Sequence, residues 1–266
     1  MKKIAYVFWG VGIFLLFSTF LSVAYASHSW GGYHWARTKN PFTLKLGNNI
    51  SSVWNKYLAT ASTEWSLSSV LDTSIVPGQS NPKNCRATLG QVEVCNNRYG
   101  NNNWLGIASI WVNGSHIVQG TAKFNDTYFN TTKYNTSAWR NLVVCQEVAH
   151  IFGLDHQDEN FLNPNLGTCM DYTNDPDGSI YHQLDNQYPN AHDYEELEII
   201  YGHLDNITTI GTRTSSNFKG SNADVNDDDR TTWGKEIRKD RNGHSSLFER
   251  DEGKNNKIFT FVFWAN

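Results

Sequence analysis

One stretch narrows the possible architecture more than any other: Cys145-Gln146-Glu147-Val148-Ala149-His150-Ile151-Phe152-Gly153-Leu154-Asp155-His156. Read as a helix, it puts Gln146 and His150 one turn apart on the same face. Trp139, Leu142, Val143, Val148, Ile151 and Phe152 recur at helical spacing and form its buried side, and Thr136 or Ser137 stands where a cap belongs. Gly153 ends the helix as a C′ glycine does and lets the chain turn sharply, which brings His156 back toward Gln146 and His150. Glu147 sits beside this group, rotated off the line of the other three. A helix of this kind is packed inside a domain, and it gathers polar side chains at one point.

The flanking segments supply a sheet. Phe42 to Leu46 alternates as a strand does, and Asn49 or Ser51 caps a helix through Trp65 with Val53, Trp54, Tyr57, Leu58, Ala61 and Trp65 on one face. Val70 to Val76 reads as a strand stopped by Pro77-Gly78, and Arg86 to Val94 as a short strand-like stretch. Leu105 to Val112 and His116 to Phe124 read as a hairpin about Asn113-Gly114. Leu154 to Asn190 is a long loop, of the length that in a compact domain is usually functional. Asp193 to Leu204 reads as a last helix. After it, 206–230 is polar and Asp-rich, and Ser246 to Asp251 with Lys257 to Trp264 reads as a closing hairpin. The order is α+β, without the regular alternation of a doubly wound sheet. It divides into 1–26 as a leader, 27–205 as the main domain, and 206–266 as an extension made of a polar linker and a β-hairpin.

The leader assignment rests on Lys2 and Lys3, the apolar run Ile4 to Phe17, and Ala24-Tyr25-Ala26, the layout of a secretory signal peptide cleaved near Ala26. The run approaches membrane-spanning length, but the small residues at 24 and 26 favour cleavage. Export suits the even cysteine count. Cys85 and Cys95 bracket one strand-like stretch, so a local bridge is natural there, which leaves Cys145 with Cys169. A net charge of −4 provides no basic stripe for nucleic acid and no polybasic membrane patch. Asn49, Asn113, Asn125, Asn130, Asn135 and Asn206 begin N-x-S/T sequons, which matter only where the host glycosylates secreted proteins. Asp224 to Asp229 alternates like a calcium loop, but it lacks the following Gly and has Lys235 at the twelfth position, so it is no EF-hand.

Imidazoles and a carboxylate at the 146–156 spacing suit a zinc site. Here the chain resembles the metzincin clan of zinc metallopeptidases, whose pattern is H-E-x-x-H-x-x-G-x-x-H followed by a Met-turn. Glu147, His150, Gly153 and His156 match, and Cys169-Met170-Asp171-Tyr172, beginning thirteen residues beyond His156, looks like the Met-turn. The layout from Phe42 to Leu204 resembles the matrixin branch. The resemblance implies a twisted mixed sheet with a long active-site helix, a Met-turn and a C-terminal helix. It implies Zn²⁺ on His150 and His156, Glu147 as general base, Met170 as an apolar floor, and Tyr172 as a hydrogen-bond donor to the oxyanion. Asp155 and Asp158 would accept hydrogen bonds from the imidazoles.

One position departs from the pattern. Gln146 stands where the clan has its first His, and a neutral amide oxygen is a weaker zinc ligand than imidazole. Gln146 ligates zinc, or His192, His182, His116 or Asp158 replaces it, or the metal is lost. The reading is therefore a secreted zinc endopeptidase acting on polypeptides, with a non-catalytic metzincin-fold binding protein as the alternative. Substrate would add as a strand along Leu105 to Val112, expected to be the sheet edge. His28 and His34 are expected to be exposed, and His203 to lie on the surface or in a cap. No thiolate switch precedes the fold, so no activating cleavage is expected.

Overall fold

The computed structural model describes residues 28–211, 225–226 and 229–265; the leader lies outside them, as does much of the polar linker. In chain order the elements are β1 (His34–Trp35), β2 (Phe42–Asn49), α1 (Ser52–Trp65), β3 (Leu71–Pro77), β4 (Val92–Asn97), β5 (Trp104–Asn113) and β6 (His116–Asn125). Then come α2 (Asp126–Phe129), α3 (Ser137–Ile151), α4 (Ala191–Ile200), a 3₁₀ turn at Arg230–Trp233, β7 (Lys235–Lys239), β8 (Ser245–Gly253) and β9 (Asn256–Trp264). The result is α+β, a mostly sheet core with few helices. No helix among the described residues is long and apolar enough to cross a membrane.

The sheet runs β3-β2-β4-β6-β5-β9-β8-β7, with β1 beside the start of β6. From β3 through β2 and β4 to β6 all pairs are parallel, and from β6 onward through β5, β9, β8 and β7 all are antiparallel. Two sequence expectations shift. The fourth strand begins at Val92 instead of Arg86, because Gly90 and Gln91 form a turn tied to Val118 and Thr88. The short helix α2 was not anticipated; the Asn125 side chain caps it by accepting from the Thr127 N–H.

Alternation along the central strands separates two cores. Leu105, Ala108 and Ile110 of β5 and Phe259, Phe261 and Phe263 of β9 face the side carrying α1 and α3. Trp104, Ile107 and Trp111 of β5 and Ile258, Val262 and Trp264 of β9 face the other, with Trp233 and Phe248. Covering on both faces explains why these strands read as nearly unbroken apolar runs. It also explains the aromatic content, since Trp35, Trp54, Trp65, Trp104 and Trp233 are among the largest fully buried side chains. The disulfides Cys85–Cys95 and Cys145–Cys169 both close, each with Cα atoms 6.0 Å apart.

The main correction concerns the sheet edge. The expected edge strand, β5, is interior. β9 pairs antiparallel with it along its whole length, from Trp104 opposite Trp264 to Asn113 opposite Asn256. The lane where an extended peptide was expected to add is held by the chain's own C-terminal hairpin.

Candidate metal and catalytic site beneath the C-terminal hairpin

Helix α3 carries Gln146, Glu147 and His150, and all three are buried to 1% exposure or less. The Thr136 side chain accepts from the Trp139 N–H at the helix start. Gly153 turns the chain with φ +105°, and a Cβ there would run into the Tyr33 carbonyl oxygen, so only glycine makes this turn without strain. The turn returns His156 to the helix, with its Nε2 2.9 Å from His150 Nε2.

Both rings are fixed from behind. His150 Nδ1 lies 2.9 Å from the Leu154 carbonyl oxygen, which can only accept, so that nitrogen carries the proton. His156 Nδ1 lies 2.6 Å from Glu159 Oε1, and that carboxylate is at ion-pair distance, 2.9 Å, from Arg238 Nε. Burial, reinforced by each ring's charged or imidazole neighbours, keeps both neutral: His150 is held well below its usual value, and His156 falls to about 3. Two neutral rings protonated at Nδ1 have lone pairs on both Nε2 atoms, here pointed at one another.

The same helix carries further buried acceptors. Gln146 donates its amide N–H to the Cys169 carbonyl at 2.7 Å, which leaves its Oε1 buried and without a partner. Both Glu147 carboxylate oxygens are likewise buried, and burial, outweighing the Ala108 backbone N–H, pushes this carboxyl well above the usual range. Glu147 fits only because β5 has a glycine opposite it; a Cβ on Gly106 would stand 2.5 Å from Glu147 Oε1. Facing imidazole lone pairs are a donor pair that a cation satisfies, so His150 and His156 fit zinc.

The alternative third ligands do not join this pair. His182 lines a surface pocket with Phe161 and Tyr181. His192 stacks on His28 at 4.8 Å. His116 lies against Asp205, and Asp158 accepts from the Asn160 N–H and the Asn163 amide. Among the described residues the three-member His, Cys, Asp or Glu groups with converging donors are His34–His116–Asp205 and Asp155–His156–Glu159, and neither contains His150.

The outer partners also differ from expectation. Glu159, three residues beyond His156, accepts the hydrogen bond from the imidazole Nδ1–H; Asp155 Oδ1 is 3.8 Å away and instead accepts from the His156 backbone N–H at 2.8 Å. The sequence reading names Asp155 and Asp158 for this role and passes over Glu159. Arg238 of β7 was not legible at all. Its fork meets Asp155 at 2.6 and 2.7 Å. Although burial raises the Asp155 carboxyl, the Arg238 hydrogen bonds and charge outweigh it and hold the group below its ordinary value. His28 and His34, expected to be exposed, are each 4% exposed. His28 is held by the Asp155 carbonyl at 2.8 Å.

The hairpin roofs the group. Phe261 stacks on His150 with centroids 4.0 Å apart at 11°. The Tyr172 hydroxyl donates to the Val262 carbonyl at 3.3 Å, its ring contacts Phe263 at 4.9 Å, and burial raises its phenol well above the usual value. Ser246 of β8 donates to Glu159 at 3.0 Å. Met170 is fully buried in the core beside these residues.

No protein-family model matches the chain, and no curated protein matches it. Among solved structures it is similar to high choriolytic enzyme 1, a hatching-enzyme zinc protease from the medaka fish Oryzias latipes. That similarity has a TM-score of 0.35 at 12% identity over 65% of this chain and 96% of that one. It is similar to myroilysin at the same TM-score and identity, over 66% of this chain and 82% of that one. A TM-score of 0.35 assigns no activity to this chain, whose chemistry follows from its own residues.

Proposed function

We propose that the chain is a secreted, metzincin-like zinc endopeptidase held latent by its own C-terminal hairpin. The observation that carries this reading is the pair of facing Nε2 atoms, 2.9 Å apart, on rings whose Nδ1 atoms are both engaged. Without a cation between them, two lone pairs repel at contact distance. His150 and His156 would hold the ion, with Gln146 Oε1 as the third donor. Zinc in such a set polarises a carbonyl oxygen and makes bound water more acidic.

The chain's own groups supply the rest. Glu147 takes the proton of the attacking water and returns it to the leaving amine. Gly106 leaves room for that carboxylate against β5, and Leu154 and Glu159 hold the imidazoles in the donor orientation. Tyr172 donates to the oxyanion once its hydroxyl is released from Val262. Latency follows from β9 filling the lane beside β5 where an extended peptide would pair. Burying Phe259, Phe261 and Phe263 contributes roughly 1.5–3 kcal/mol each. A free peptide binding at micromolar Kd gains only about 8 kcal/mol, and the hairpin competes intramolecularly. Cleavage of the 206–230 connection or its equivalent would favour opening, an activation step that the sequence alone did not suggest.

The test starts with zinc analysis of the purified chain. His150→Ala should cost one equivalent, Gln146→Ala should weaken binding, and Gln146→His should keep or tighten it. Chain nicked between 206 and 230 should hydrolyse a denatured protein, and Glu147→Ala should abolish that. A nicked, zinc-loaded chain that cleaves nothing transfers the fold to the non-catalytic reading. Zinc content indifferent to His150→Ala sinks the metal assignment altogether.

A further inference from the structure

A second group of donors stands apart from the Glu147 helix and shares no residue with it. It is assembled from three distant parts of the chain: His34 on β1, His116 at the start of β6, and His203 and Asp205 just after α4. Asp205 Oδ1 is the hub, 3.2 Å from His116 Nε2, 3.5 Å from His34 Nε2 and 3.8 Å from His203 Nε2. His203 Nε2 is 3.1 Å from His34 Nε2.

Donor atoms of His34, His116 and Asp205 lie within 4.8 Å of one another, and His203 Nε2 reaches two of these three. A zinc ion with bonds of ~2.0–2.1 Å sets its donors about 3.3–3.4 Å apart. Of the six separations among these four donors, the four given above run from 3.1 to 3.8 Å. Three imidazole nitrogens and one carboxylate oxygen are also a donor set that suits zinc by softness and geometry.

The group is preorganised. His34 Nδ1 lies 2.9 Å from the Gly32 carbonyl oxygen, so it carries the proton and Nε2 keeps its lone pair. That lone pair faces the acceptor Asp205 Oδ1, an arrangement that favours a cation between them. Asp205 is oriented through its other oxygen, which accepts from the Arg37 backbone N–H at 3.1 Å and from the Arg37 guanidinium at 3.0 Å. This leaves Oδ1 turned to the imidazoles, as outer partners of metal ligands do. The side chains of His34 and Asp205 are 6% and 11% exposed, while His203 is 54% exposed and forms the open side through which an ion enters.

We propose that His34, His116, His203 and Asp205 bind a zinc ion as a structural site that fastens the segment after α4 to β1 and β6. The stretch it secures is the last described part of the chain before the connection to the hairpin. Asp205 and Thr209 already donate backbone N–H groups to Arg37 and Ala36 there.

The experiment uses the full mature chain carrying His150→Ala and His156→Ala, so that only this site can report. Zinc analysis should find one equivalent, and cobalt substitution should give the visible absorption of a tetrahedral nitrogen–oxygen site. Adding His203→Ala, whose side chain is mostly solvated, should weaken metal binding by more than the roughly 100-fold that loss of an outer partner costs. His116→Gln should do the same. Zinc should raise Tm in the parent and leave it unmoved in both variants, with circular dichroism showing the fold retained. A parent that takes up no zinc when titrated, or metal content unchanged by both His203→Ala and His116→Gln, overturns the assignment. If His150 and His156 prove to bind nothing in the otherwise natural chain, this site stands or falls separately.

Discussion

Arg238→Ala isolates the fastening of the hairpin. The guanidinium makes two bonds to Asp155, at 2.6 and 2.7 Å, and stands 2.9 Å from Glu159. Its side chain is 30% exposed and those of the acids 12% and 13%, so the contact lies between the surface and interior limits. Exposed pairs contribute about 0.2–1 kcal/mol, and removing one partner of a fully buried pair costs about 3–5 kcal/mol. An intermediate of about 2 kcal/mol corresponds to roughly a 30-fold shift toward the open hairpin. Native-state hydrogen exchange reads this directly, because amides of β9 paired with β5 exchange through opening of the hairpin. They should exchange roughly 30-fold faster in Arg238→Ala, with β2 and β4 amides unchanged, and zinc-loaded protein should gain peptidase activity in proportion. Arg238→Lys, which keeps the charge but loses the fork, should fall between. If β9 protection stays within twofold of the parent, or if all strands lose protection equally, Arg238 does not fasten the hairpin and the argument fails.

Gly106→Ala should destabilise the fold by about 1–3 kcal/mol, since the new methyl lands 2.5 Å from Glu147 Oε1 and 2.7 Å from Val143 Cγ1. Denaturant midpoints measure it, and an unchanged midpoint would show that Glu147 is not wedged against β5. Asp171 offers a pH test: burial, ahead of the opposing hydrogen bonds from Leu166 and Asn186, pushes its carboxyl up to about 6 from 3.8. A raised folded-state value means the contribution is present below about pH 4 and is lost as pH rises through about 6, amounting to about 2–3 kcal/mol. Asp171→Asn removes that titration, so its stability relative to the parent should climb by that amount from pH 4 to 7; a flat difference refutes the assignment.

Much of the site was legible in the chain because its logic is local. Helical spacing alone relates Gln146 to His150, and a glycine at 153 turns His156 back toward them. Strand alternation likewise anticipated the β5–β6 hairpin and the final pair of strands, within a few residues of their ends. The bridges followed from cysteine count and order. Errors arose where one residue type answers to several local fates. His34 looks like a terminal, solvated residue until β1 is laid beside β6, and His28 does until the Asp155 carbonyl and Asp193 close on it. Glu159 could not be told from Asp155 or Asp158 by spacing, because loop backbone decides which carboxylate reaches the imidazole.

The sequence by itself determined which faces are apolar, where the chain turns, and that two histidines meet at the end of one helix. The tertiary structure alone decided what stands next to them. Alternation specifies the two faces of β5 but not the neighbour that takes its free edge, since backbone N–H and C=O groups are alike in every strand. That neighbour, β9, comes from the far end of the chain and converts an expected open cleft into a roofed one. The His34–His116–His203–Asp205 cluster arises the same way, from donors with no periodic relation that converge only when three distant segments pack.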